Sequence, residues 1–228
     1  MELSTLQTSL TTAATDLLLG VVALFFSYFL YQQSNVGRGR IWGTAFLLLA
    51  LGAIVGGVKT GLVLDDTTVK VLQQPFFFSL SITVSLFVLG VLWDFQGGYL
   101  KEWQDRGLLA IGGAFYLITV LFSGVFLLFL AYAATAMLFA GVVYFMLYLR
   151  KEVKGALWVS VGIALTLVAF GVQASKAISF HLIWDFDHNG VFHLIQLLAV
   201  TLLYIGVQKG MRLEKECVVR EMKLPSEV

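Results

Sequence analysis

The chain reads as long apolar blocks separated by short polar ones. Apolar windows of spanning length begin near Ala14, Ile41, Val69, Leu108, Val125, Gly155 and Val191. Each can supply the roughly 20 residues that a bilayer-crossing helix needs, so seven spans are predicted. Residues 108–149 form one apolar run broken only at Ser123-Gly124. A single helix of that length would overshoot the bilayer, so a tight hairpin at Ser123-Gly124 is expected. The second block carries Gly52/Gly56 and Gly57/Gly61, two GxxxG spacings that let neighbouring helices approach closely. Proline is confined to Pro75 and Pro225, which predicts mostly unkinked helices.

Basic residues orient the blocks. With seven spans, one side holds Arg38, Arg40, Lys101, Arg106, Arg150, Lys151, Lys154, Lys209, Arg212, Lys215, Arg220 and Lys223. The other side holds only Lys59, Lys70 and Lys176. By the positive-inside rule this puts the N-terminus outside and the C-terminus in the cytoplasm, and six spans would scramble the pattern. Trp42, Trp93, Trp103 and Trp158 then fall near cytoplasmic span ends and Trp184 near an outer one, as an interfacial aromatic belt would.

Composition agrees: of 228 residues, 59% are hydrophobic and 13% charged, too much apolar surface for a water-soluble domain. The expectation is an all-α polytopic membrane protein. It has a seven-helix transmembrane domain over residues 1–210 and a charged cytoplasmic tail or short surface helix over 211–228. A formal net charge of +1 points to no nucleic-acid partner. Cys217 is the single cysteine, so no internal disulfide can form. Residues 1–13 lack the basic and apolar regions of a cleavable signal peptide.

The assigned orientation gathers ionisable residues at the outer side. The second span ends there at Lys59-Thr60, followed by Asp65 and Asp66. The sixth ends at Gln173, Lys176, Ser179 and His181, and the seventh begins at Asp185, Asp187, His188 and His193. On a continuous helix, His188 and His193 would stand about 140° apart. If Asn189 caps the helix, however, they occupy the two positions that pack together at helix starts. Gln196, Tyr204 and Gln208 continue a polar stripe from His193 and must face protein or water. The candidate pocket is therefore Lys59, Asp65, Gln173, Lys176, Gln196 and Tyr204. Plainer roles exist for each group: lysines at span ends snorkel to headgroups, Asp65-Asp66 suits a solvated turn, Asp185 and Asp187 suit a helix cap, and His181 suits an interface.

The run His188-Asn189-Gly190-Val191-Phe192-His193 resembles the seventh-span motif of the CREST group of membrane proteins. That group includes alkaline ceramidases and progestin/adiponectin-type receptors. It is also similar to uncharacterised bacterial seven-span proteins with a His-Asn-Asp-x-x-x-His-like run, which implies a multi-pass protein of a bacterial inner membrane. The resemblance implies a zinc ion, held by His188 and His193, activating water for hydrolysis of a lipid amide or ester. Asp185 or Asp187 would serve as base or third ligand, with Asp65, Asp66 and His181 as other third-ligand candidates. The pattern also departs from the group. The histidine spacing is one residue longer, and Gly56-Gly57-Val58-Lys59-Thr60-Gly61 stands where the group has a histidine. Gly190 replaces a carboxylate of the bacterial proteins.

Three function classes follow. One is the zinc-dependent hydrolase. The second is a non-enzymatic sensor, ligand-binding protein or scaffold with a degenerate metal site, which takes a lipid or small molecule outside and meets anionic lipid or a partner through its basic tail. A transporter or proton relay is disfavoured by the absence of charged residues deep in the spans. A rhodopsin-type site is excluded because residues 191–208 hold no lysine, and a G-protein-coupled receptor because that span has no proline. A membrane b-type cytochrome would need paired histidines on facing helices.

Overall fold

A computed structural model describes residues 2–33, 37–122 and 126–223, with side chains from Leu3 to Met211. Seven helices account for nearly all of it: α1 (Gln7–Gln33), α2 (Arg38–Gly61), α3 (Asp66–Phe95), α4 (Glu102–Leu121), α5 (Phe126–Leu149), α6 (Ala156–Ser175) and α7 (His188–Lys223). Six of them, all but α4, are long and apolar enough to cross a membrane. The molecule is an all-α, multi-pass membrane bundle. The expected hairpin at Ser123-Gly124 lies outside the described residues.

Helix ends follow local chemistry. Asp65 caps α3, its carboxylate accepting from Thr67 N and Thr68 N at 3.0 Å each and from Thr68 Oγ1 at 2.6 Å. Those bonds hold its pKa below the usual value, the Thr68 hydroxyl first among them. At α6, Lys176 takes a left-handed conformation (φ 54°) and closes the helix. Ser179 therefore falls past the helix and shares no face with Gln173. Two short antiparallel ladders join the connecting segments: β1 (Glu2–Leu3) with β2 (Leu62–Val63), and β3 (Phe180–His181) with β4 (Asp185–Phe186).

Consecutive helices pack together except α4 and α5, which barely touch; α5 packs on α3 and α6, and α7 closes back onto α1. Glycine sets the closest approach of α1 to α2: a Cβ on Gly57 would stand 2.8 Å from Leu17 Cγ and 3.0 Å from the Ala13 carbonyl. Only a residue without a side chain lets those backbones meet. The helix α4 lies at the periphery, with Gln104 and Gly112 its buried residues. It runs antiparallel along α3. Leu108 and Leu109 pack with Leu86 and Leu89, Gly112 meets Ser81 and Ser85, and Tyr116 Oη reaches Gln74 Oε1 at 3.3 Å. The main core joins Leu19, Leu30, Phe46, Phe87, Tyr144, Ile163 and Val200 from six helices.

Candidate functional site

A cavity of about 440 Å³ runs down the middle of the bundle. Its wall on α2 is one helical face: Trp42, Phe46, Leu49, Ala53, Gly56 and Lys59 recur every three or four residues. From Lys59 to Trp42 that face rises roughly 26 Å at 1.5 Å per residue. Most of the lining is apolar, with Phe77, Phe87, Phe129 and Met137 contributed by α3 and α5. Most of the polar groups collect towards one end: Thr12 and Asp16 on α1, Lys59 and Thr60 on α2, Gln73 on α3, Gln173 on α6, and Asn189, His193 and Gln196 on α7, with Thr83 and Thr166 further down.

Asp16 is the centre of that end. It is the tenth residue of α1 and only 7% exposed, so an ionisable group does lie inside a span, against the sequence expectation. Its Oδ1 is 3.4 Å from His193 Nε2. The other ring nitrogen, Nδ1, is 3.2 Å from Thr15 Oγ1. A Cβ on Gly56 would stand 2.5 Å from Asp16 Oδ2, so glycine lets the carboxylate lie against α2. Lys59 is within electrostatic reach of Asp16, and its Nζ sits 4.8 Å from the Phe76 ring centroid. Gln173 donates to Asn189 Oδ1 at 2.7 Å, and Gln196 donates to Thr166 Oγ1 at 3.4 Å. The amide oxygens of both glutamines are buried without a hydrogen-bond partner among the described residues. Unpaired buried acceptors beside a cavity suit a ligand or water that donates.

The predicted residues separate into two groups. Lys59, Gln173, Gln196 and His193 line the cavity; Asp65, Lys176, Tyr204, His181, His188, Asp185 and Asp187 stand outside its lining. Asp187, not Asn189, caps α7. Its carboxylate accepts from Asn189 N (3.0 Å), Gly190 N (2.9 Å), Asn189 Nδ2 (2.8 Å) and Thr12 Oγ1 (2.9 Å). Burial pushes its pKa up, but these bonds and the nearby His188 outweigh it and hold the group below its usual value. His188 is thereby the first helical residue, and the staple contact that would join it to His193 is not formed. Asn189 becomes a residue of the first turn, free to reach α6.

Asp185 pairs with His181, Nδ1 to Oδ1 at 2.6 Å, in an exposed ladder. Its carbonyl oxygen accepts from Thr11 Oγ1 at 2.7 Å. Tyr204 stacks on Phe26 at 4.1 Å between centroids and accepts from Gln208 at 3.0 Å. Among the described residues no three His, Cys, Asp or Glu side chains converge. His193 and Asp16 are two side chains of the kinds that hold zinc, and among the described residues no third joins them, where a catalytic zinc takes three protein ligands.

Two groups escaped the sequence reading at the opposite end. Arg38 and Asp94 form an ion pair at 2.7 Å with side chains 4% and 2% exposed, and Tyr144 Oη donates to the same carboxylate oxygen. Trp42, expected in an interfacial belt, is instead fully buried as the chamber floor, edge-on to Phe87. A lone Asp in an apolar window is a signal that could have flagged Asp16, because intramembrane carboxylates are rare. No local signal links Arg38 to Asp94, 56 residues away along the chain, or Asp94 to Tyr144, 50 residues further on.

The fold and site define a multi-pass helical membrane protein with an internal, one-ended polar chamber. A model described as a family of unknown function (DUF6962) matches residues 11–212, and the chain belongs to that family. No curated protein matches the chain, and no solved structure does.

Proposed function

We propose that this is a seven-span membrane protein, N-terminus outside and C-terminus cytoplasmic, that binds an elongated amphiphile inside the bundle as a sensor or binding protein. The observation that carries this reading is the chamber itself: long, narrow, chiefly apolar, and polar at one end. Its volume falls in the usual range for ligand sites, about 300–1,000 Å³. Its length of roughly 26 Å approaches the thickness of a bilayer's hydrocarbon core. An apolar tail would lie against Phe87, Phe129 and Met137, with a polar head at Asp16, Lys59 and Gln196. Support for the seventh span is the antiparallel course of α4 along α3 and its 20 residues, about the length that a spanning helix needs. Support for the orientation is the distribution of Lys and Arg. Kinship with CREST-type proteins fits as a ligand-binding relative with an altered metal site.

Saturable binding of a fluorescent single-chain fatty alcohol to purified protein is expected. It should weaken about tenfold or more, 1.4 kcal/mol, in Ala53→Phe, which fills the middle of the chamber. Binding unchanged by that substitution would place the ligand elsewhere and overturn the reading. Stoichiometric zinc lost in His193→Ala would favour the hydrolase instead. Alkaline phosphatase fused at the C-terminus should be inactive and a fusion after Asp65 active.

A further inference from the structure

We propose that Lys59 is a covalent attachment site for a long-chain apolar aldehyde, held in the chamber as an imine with Asp16 as its counter-ion. This rests on the chamber being a ligand site. Lys59 contributes the primary amine of the chamber lining. Its Nζ lies over the face of Phe76, another lining residue, 4.8 Å from the ring centroid. Among the described residues no carboxylate comes within ion-pair distance of it, so the nitrogen is not occupied by a salt bridge. A lysine that only snorkelled to headgroups would not need a carboxylate buried in the same cavity. Asp16 is that carboxylate, within electrostatic reach and held against α2 by Gly56.

The chemistry needs nothing beyond the amine and the aldehyde. The neutral nitrogen of Lys59 attacks the carbonyl carbon, and proton transfer gives a carbinolamine. Its C–O bond breaks as water leaves and C=N forms, so amine plus aldehyde become imine plus water with no change in oxidation state. A proton taken up by the imine makes a cation, which Asp16 stabilises in a medium where an unpaired charge is expensive. The tail then has the aromatic shaft from Phe76 and Phe129 down to Phe87 and Trp42. Lys70 and Lys176 offer no equivalent site, since neither lines the chamber.

The test incubates the full-length protein in detergent with all-trans-retinal or hexadecanal, adds borohydride, and maps the reduced adduct by peptide mass spectrometry. One adduct per chain at Lys59 is expected, with a red-shifted absorbance for the retinal form. K59R should lose the adduct while retaining its melting transition. D16N should keep the adduct and lose the red shift. Retinol, which cannot form an imine, serves as the parallel probe in wild type. Saturable retinol binding without an aldehyde adduct at Lys59 overturns the imine and leaves the chamber reading standing. Binding of neither probe overturns both. An adduct spread over Lys70, Lys176 and the tail, or persisting in K59R, also overturns the assignment, and a D16N adduct that keeps the wild-type red shift removes Asp16 as the counter-ion.

Discussion

Replacing Asp94 with Asn should cost this protein about 3–5 kcal/mol of stability, the usual penalty for breaking a buried ion pair from one side. The carboxylate and the Arg38 guanidinium meet at 2.7 Å with side chains almost wholly enclosed. At an effective dielectric of about 20, that separation is worth roughly 6 kcal/mol of gross attraction. Desolvating the two ions offsets most of this, so the intact pair adds little net stability. Removing one charge is different: Arg38 keeps its desolvation cost and loses the compensation. The Arg38 guanidinium lies where a Cβ on Gly210 of α7 would sit, so α7 packs directly over it. Tyr144→Phe alone should cost about 1.5–3 kcal/mol, as it removes a hydrogen bond to a charged acceptor. In the Asp94→Asn background the same change should cost about 1 kcal/mol, because the acceptor is neutral. Equilibrium unfolding in mixed SDS–maltoside micelles, followed by Trp fluorescence, measures all four proteins. A cost for Asp94→Asn below about 1 kcal/mol, or strict additivity with Tyr144→Phe, would refute this account.

Asp187→Ala should lower stability by about 1–2 kcal/mol in the same assay, since it uncaps α7 and frees Thr12. The wild-type carboxylate has a folded pKa below the ordinary value for an aspartate. Its contribution is therefore complete above the unfolded pKa and fades as pH falls through the lower folded one. The wild type's advantage over Asp187→Ala should shrink in that acid window, and a pH-independent gap would count against the cap. Gly57→Leu should cost about 1–3 kcal/mol by forcing α1 away from α2, read as a lowered melting temperature. An unchanged melting temperature would mean that the two helices do not meet there. Thr12→Val should weaken amphiphile binding less than Ala53→Phe does, because it alters the polar end without filling the shaft.

How much of this was legible beforehand differs by scale. The apolar blocks marked every helix start to within a few residues, apart from α1 and α4, which start earlier at Gln7 and Glu102, and the long α7 continues to Lys223. Hydropathy reports what a segment must avoid, and water is avoided along its whole length. The GxxxG spacings foretold a close approach along α2, though not that Gly57 faces α1 while Gly56 seats a carboxylate. The site was half legible. Lys59, Gln173, Gln196 and His193 could be gathered by topology, because three span ends on one side of a bilayer lie close together.

Rotation about the helix axes could not be read from the chain. The choice of Asp187 over Asn189 as the cap moves His188 and His193 off a shared face, and local preference alone favours either residue. Asp16 was hidden because one carboxylate barely changes a window of apolar residues. Arg38 read as a topological marker because a positive charge at a span end is ordinarily solvated. The sequence by itself determined where the long apolar helices form and, by their length, that they belong in a membrane. Tertiary structure alone decided which faces turn inward, and hence that Asp16, Lys59 and His193 share one chamber while Arg38 and Asp94 neutralise each other at its far end. Burial energy depends on neighbours that lie far away along the chain, and no local pattern of residues encodes them.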